Sequence, residues 1–258
     1  MAVNSMLQKL ISFMITGMLF FPSSNVWRTP RDLGLPFTEV HLQTSDKVKL
    51  HGWFLEARNP SHTLLFLHGN AGNVSDRLEK AKSWIHQNGS VLLLDYRGFG
   101  KSEGKIAGEK DLFEDAKAGY EWLIQKGIKP DKILVYGESV GAAPALDVAL
   151  SLPVEGLILE GTFSSLGEMA KLHYFPVPDF LLGNFKLNNR EKIKSLKVPV
   201  FFIHGSQDEI CPIPMARDLY NLAPSRKAFY EIPGASHNDT YSGEPKEMYE
   251  EVITFFEQ

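Results

Sequence analysis

Five short runs in this chain are almost wholly apolar: Leu64–Leu67, Val91–Asp95, Ile133–Tyr136, Gly156–Glu160 and Val200–His204. A strand with one wet face alternates apolar and polar residues, and these runs do not. Both of their faces must therefore be covered. The segments between them supply the cover. Val74, Leu78, Ala81 and Ile85 fall at helical spacing and stop at Asn88-Gly89, and Leu112, Phe113, Ala116, Tyr120, Leu123 and Ile124 repeat the pattern up to Gly127. Further helices are expected over Ala142–Leu150, Pro212–Leu222 and Pro245–Phe256, with a strand at Ala228–Ile232. Upstream, Phe37–Gln43 and Val48–Leu55 alternate around Ser45-Asp46-Lys47 and read as an antiparallel hairpin. Strand and helix alternate too regularly for any other class. The expectation is α/β, with a mostly parallel eight-stranded sheet, helices on both faces and a ligand crevice beyond the carboxyl ends of the strands.

The 258 residues suffice for one such domain. It is expected over residues 37–258, after an N-terminal hydrophobic or amphipathic segment and linker over residues 1–36. A net charge of −4, with lysines and arginines scattered, excludes a nucleic-acid surface. The single cysteine, Cys211, excludes an intrachain disulfide. Leu10–Phe21 is apolar except for Ser12, Thr16 and Gly17, and ends at Pro22. It is short for a spanning helix, which needs about 20 apolar residues. Ser5, Lys9, Ser12 and Thr16 share one helical face; Leu7, Leu10, Ile11, Met14 and Met18 share the other. Contact of residues 5–21 with a membrane surface is expected ahead of docking on the domain, and a cleaved signal comes last. The localisation that follows is membrane-associated or cytoplasmic.

Gly137-Glu138-Ser139-Val140-Gly141 stands between the Ile133–Tyr136 strand and the Ala142–Leu150 helix. A serine at a strand-to-helix turn, with glycine two residues to either side, is the nucleophile-elbow pattern. Side chains at the glycine positions would collide with the neighbouring strand and helix. Pro144 lies near the first turn of that helix and is tolerated there. A serine nucleophile needs a base of pKa near neutrality, and that histidine needs a carboxylate to fix its tautomer. Elbow serines take their partners in the order acid, then histidine. Asp208 lies just past the Val200–His204 strand, with Glu209 its nearest competitor, and His237 is the only histidine after Asp208. The nucleophile's reaction also needs backbone N–H donors. Val140, after the serine, and Asn70, in His68-Gly69-Asn70-Ala71-Gly72-Asn73 after the first parallel strand, are the candidate oxyanion-hole residues. His68, His204 and Glu160 read as structural.

Taken together, His68–Asn73, Asp95-Tyr96-Arg97-Gly98-Phe99-Gly100-Lys101-Ser102, Gly137–Gly141, His204-Gly205-Ser206-Gln207-Asp208 and Gly234-Ala235-Ser236-His237 carry a resemblance. From about Phe37 onward, the chain resembles α/β-hydrolase-fold serine hydrolases. More narrowly, it is similar to the bud-emergence-type, α/β-hydrolase-domain subfamily, which is grouped loosely with prolyl-oligopeptidase-like hydrolases. The resemblance implies hydrolysis of carboxylic ester or thioester bonds through a Ser139–Asp208–His237 triad and an acyl-enzyme, without metal or cofactor. The implied substrates are small-molecule or lipid-like acyl esters, or an acylated protein. A peptidase or amidase, and a non-catalytic binding module, are the alternatives. Residues 161–197 form a short cap insertion, where Phe163, Tyr174 and Phe175 are candidates for an apolar acyl pocket beside His173 and Phe180.

Overall fold

The computed structural model describes residues 16–173, 182–241 and 246–258. Eight strands form one sheet: β1 (Thr38–Gln43), β2 (Lys49–Leu55), β3 (Thr63–Leu67), β4 (Ser90–Leu94), β5 (Ile133–Glu138), β6 (Gly156–Glu160), β7 (Val200–Gly205) and β8 (Lys227–Ile232). Their spatial order is β8-β7-β6-β5-β3-β4-β2-β1. β2 runs antiparallel to β1 and β4, and every other pairing is parallel. The helices that pack on this sheet or beside it among the described residues are α1 (Leu78–His86), α2 (Glu109–Gln125), α3 (Ala142–Ser151), α4 (Leu166–His173), α5 (Asn189–Ile193), α6 (Ile213–Leu222) and α7 (Lys246–Phe256). The doubly covered, mostly parallel sheet expected from the apolar runs is the fold observed.

Alternation along each strand sorts the core into two layers. Leu65, Leu67, Leu92, Leu94, Val135, Leu157, Leu159 and Phe202 pack on the face covered by α2, α3, α5 and α6. Leu64, Phe66, Val91, Leu93, Leu134, Tyr136, Ile158 and Phe201 pack on the face covered by α1 and α7, against Trp84, Tyr249 and Phe256. Pro144 is the third residue of α3, in its first turn.

Register decides where the chemistry sits. One row of Cα partners crosses the sheet through Leu94, Leu67, Gly137, Leu159, Phe202 and Phe229. The segments just past that row, around Asn70, Ser139, Gly161, Asp208 and His237, therefore emerge along one edge.

Residues 16–36, set apart from the domain in the sequence reading, are packed on it. Phe20 is 5% exposed and belongs to the main core layer, with ring centroids 6.3 Å from Phe99 and 5.7 Å from Phe185. Phe21–Pro22 pairs in parallel with Ala71–Gly72. Thr16 and Met18, read onto opposite faces of this segment, face opposite ways: Thr16 donates its hydroxyl to Ile106 O at 3.3 Å, and Met18 is exposed. Among the described residues, no helix is long and apolar enough to cross a membrane.

Two ionic clusters brace the carboxyl edge. Arg97 binds Asp46 at 2.8 Å, Asp111 at 3.3 Å and Asp115 at 2.7 Å, so the hairpin turn and α2 are tied to the loop after β4. Beneath the elbow, Glu138 accepts from Arg77 at 2.9 Å and Lys80 at 3.2 Å, and Lys80 also reaches Glu160 at 2.6 Å. Glu160 accepts in addition from the hydroxyls of Tyr136 and Thr240. The cluster thus joins α1, β5, β6 and the loop that carries His237. Burial alone would raise the Glu138 carboxyl, but Arg77 and Lys80 overcome it and hold the group well below the usual carboxylate range. Glu138→Gln leaves two cations short of a partner and should cost roughly 3 kcal/mol at pH 7. A carboxylate held low when folded contributes stability above its ordinary pKa of 4.5 and loses that contribution as pH falls. Urea unfolding should therefore show the gap between wild type and variant narrowing below about pH 4; a gap independent of pH would show that Glu138 contributes no ionic stabilisation.

Candidate active site

β5 runs into a 3₁₀ turn over Ser139–Gly141 and then into α3. Ser139 takes φ +52, in the left-handed region that a side chain disfavours. The flanking glycines are sterically required, as read from the sequence. A Cβ at Gly141 would lie 2.1 Å from Leu67 O, and one at Gly137 would lie 2.7 Å from both Gly141 O and Ala142 Cα. The turn is wedged between β3 and its own helix. Ser139 is 8% exposed.

The three side chains drawn from separate strand ends meet. His237 Nε2 lies 3.1 Å from Ser139 Oγ, and His237 Nδ1 lies 2.7 Å from Asp208 Oδ2. A carboxylate can only accept, so the Nδ1–H donates to Asp208 and Nε2 is left to accept from the serine hydroxyl. Glu209, the competing acid, is exposed. Asp208 is held from several sides: its Oδ1 accepts from the N–H groups of Ile210 at 3.0 Å and Cys211 at 2.7 Å. His204 Nε2 lies 3.2 Å from Oδ2 and 2.7 Å from Cys211 O, two acceptors, so that nitrogen carries the hydrogen. Burial would raise the Asp208 carboxyl, yet the hydrogen bonds from His204, His237 and the Cys211 N–H hold it well below the usual range. It is ionised throughout the neutral range.

The loop after β3 closes the other side. A Cβ built on Gly69 would lie 3.5 Å from Ser139 Cβ, so the backbone there passes in contact with the serine. His68 Nδ1 lies 2.8 Å from Gly69 O, and Tyr96 gives its hydroxyl to His68 O at 3.1 Å. Asn70 follows Gly69 in this loop, and Val140 opens the helix beyond the serine.

Several residues at the site were not singled out in the sequence. Gly161, at φ +54, sits against the histidine: a Cβ there would lie 3.1 Å from His237 Cε1 and 3.7 Å from Asp208 Oδ2. Its signal was a glycine immediately past a strand end. Cys211 was noted only as the lone cysteine. It is buried, and burial, reinforced by the Asp208 charge, pushes its thiol far up and keeps it neutral. His204 was read as structural, and its approach to Asp208 is visible only once β7 and the loop after it are folded. Of the pocket candidates, Phe163 is buried in the core layer on the α3 side, and its carbonyl accepts from Asn189 at 3.0 Å. Tyr174 and Phe175 lie outside the described residues. His173, at the end of α4, reaches Ile210 O at 2.7 Å and so ties the cap to the loop of Asp208. Among the described residues no cluster of His, Cys, Asp and Glu is suited to a metal ion.

Comparison with known proteins places the fold in a family. Residues 58–184 match the family described as Hydrolase_4, serine aminopeptidase, S33. Protein bem46 of Schizosaccharomyces pombe is 34% identical over 240 residues, covering 88% of this chain and 79% of that protein. The α/β hydrolase domain-containing protein WAV2 of Arabidopsis thaliana is 33% identical over 255 residues, covering 89% and 82%. A solved esterase from Pyrococcus furiosus superimposes with a TM-score of 0.76 at 25% identity, covering 93% of this chain and 97% of the esterase. The chain belongs to the α/β-hydrolase family, in its bem46-type branch.

Proposed function

We propose that this protein is a serine hydrolase that cleaves carboxylic ester or thioester bonds through an acyl-enzyme. The observation that carries the reading is the bridge made by His237, with one ring nitrogen 3.1 Å from Ser139 Oγ and the other 2.7 Å from Asp208. In the proposed reaction, His237 Nε2 takes the Ser139 proton as Oγ attacks the acyl carbon. Asp208 holds the ring in the required tautomer and stabilises the imidazolium. The backbone N–H groups of Asn70 and Val140 receive the oxyanion. The imidazolium gives its proton to the departing alkoxide or thiolate. A water molecule, deprotonated by the same nitrogen, then attacks the acyl-enzyme; the acid leaves and the proton returns to Ser139.

The low-lying Asp208 carboxyl supports this division of labour, because an acid already ionised at neutral pH does not compete for the proton. The resemblance to a solved esterase supports ester cleavage. The match to a family described as serine aminopeptidase favours one second reading, peptide or amide hydrolysis by the same residues. Acyl substrates are the first choice, with a lipid-like ester or an acylated protein the proposed physiological class. Contact of the N-terminal segment with a membrane surface would suit either.

A p-nitrophenyl ester series, a matching thioester and a p-nitroanilide separate these readings. Esters should turn over fastest; a preference for the anilide would favour the amidase. Ser139→Ala should lower kcat by about 10⁴-fold or more and abolish labelling by a fluorophosphonate. Undiminished hydrolysis in that variant would overturn the proposal, and absence of labelling and turnover in the wild type would favour a binding module. Asp208→Asn offers His237 an amide in place of a carboxylate, so kcat should fall about 10⁴-fold at neutral pH while the fold survives; a loss of less than tenfold would remove Asp208 from the triad.

A further inference from the structure

The stretch Leu19–Asn25 is gripped by the loops after β3 and β4, and two of its hydrogen bonds fall on Asn70. Asn70 Nδ2–H donates to Leu19 O at 3.0 Å, and Asn70 O accepts from Phe21 N–H at 2.8 Å. Gly72 O accepts from Ser23 N–H at 3.0 Å. Asn73, fully buried, gives its side-chain amide to Ser23 O at 3.0 Å and Asn25 O at 2.9 Å. From the opposite side Gly100 N–H donates to Ser23 O at 3.0 Å. Phe20 plugs the strap into the core beside Phe99, a residue of the second loop. The glycines make this grip possible: at Gly72, φ +76, a Cβ would fall 2.1 Å from Asp76 Oδ2, and at Gly100, φ +53, it would fall 2.0 Å from Asp95 Oδ2.

These contacts bear on one peptide unit. A trans peptide points its N–H opposite to the preceding C=O. The Gly69 carbonyl, 2.8 Å from His68 Nδ1, is therefore turned away from the direction in which Asn70 N–H points. Gly69 lacks the Cβ that would restrict rotation on its side. On the other side, the carbonyl and the side-chain amide of Asn70 are both committed to the strap. The orientation of the Asn70 N–H thus depends on His68 from one end and on Leu19–Phe21 from the other.

We propose that the Leu19–Asn25 strap is a positioning element of the active site, which fixes Asn70 so that its N–H donates to the oxyanion of the acyl-transfer intermediate. The proposal rests on the reading of Asn70 as an oxyanion donor given under Proposed function. Asn70 N–H touches the reacting oxygen; the strap residues act through it. A donor displaced by about 1 Å loses much of its value to the transition state and little of its value to the bound substrate.

Two variants detach the strap from Asn70 by different atoms. Asn70→Ala keeps the backbone N–H and deletes the bond to Leu19. Phe21→Pro deletes the N–H given to Asn70 O, and because the Phe21 side chain is 56% exposed, Phe21→Ala serves as the control that keeps that N–H. With a p-nitrophenyl ester, both detaching variants should lose about 10- to 100-fold in kcat with KM within about twofold. The inhibition constant of n-butylboronic acid, whose tetrahedral adduct with Ser139 occupies the oxyanion position, should rise in parallel. Phe21→Ala should match the wild type in both. Wild-type kcat and boronate affinity in both detaching variants, with or without a lowered melting temperature, would reduce the strap to a structural clamp and overturn the proposal while leaving the triad intact. A wild type that neither hydrolyses the ester nor labels at Ser139 would remove the underlying reading, and the proposal with it.

Discussion

The closeness of Gly141 to the end of β3 governs the site. With the Leu67 and His68 carbonyl oxygens filling the space a Cβ on Gly141 would need, the turn after β5 has no room to relax. Ser139 is held at positive φ because the backbone on both sides of it is already spoken for. Strain of this kind persists only where the surroundings over-determine it. Here the surroundings are a parallel sheet whose register puts Leu67 opposite Gly137. The same register aligns the ends of β6, β7 and β8, so the precision of the elbow is passed to the Gly161, Asp208 and His237 loops without any further device. Sheet, turn and site form one mechanical unit.

Charge is arranged in two separate tiers around that unit. The lower one, Arg77, Lys80, Glu138 and Glu160, neutralises itself and reaches the His237 loop through Thr240. The upper one is a single carboxylate, Asp208, surrounded by donors rather than by a formal lysine or arginine partner. A guanidinium or ammonium beside Asp208 would compete for the acid and disfavour an imidazolium next to it. Neutral donors keep the acid ionised and leave its charge available to the histidine. The uncharged Cys211 thiol fits the same arrangement, since a thiolate there would add a second negative charge near Asp208.

Much of this was legible in the residues because it is written locally. Unbroken apolar runs reveal doubly covered strands, glycines at Asn88-Gly89 and Gly127 end helices, and a serine between two glycines after such a run has few other conformations to take. The order of Asp208 and His237 needs only chain position. What escaped was non-local. Gly161 looks like any glycine after a strand until β6 is placed between β5 and β7. His204 and Cys211 acquire their roles from a loop that folds back on its own strand. The segment before Phe37 reads as a hydrophobic or amphipathic, membrane-contacting stretch because hydropathy records that Phe20 is apolar and not that it packs beside Phe99 and Phe185. Phe163 was read as a pocket candidate from its position in an aromatic-rich insertion, and its burial in the main core layer could not be read from that position.

The strap also has a history imposed by the direction of synthesis. Leu19–Asn25 leaves the ribosome well before Asn70–Asn73 and Gly100, the residues that receive it. At about 5–20 residues per second, several seconds separate the birth of the segment from the birth of its binding groove. Throughout that interval its apolar residues have no place in this fold. They are available to whatever meets a nascent chain, a chaperone or a bilayer among them, before the remainder of the molecule can claim them.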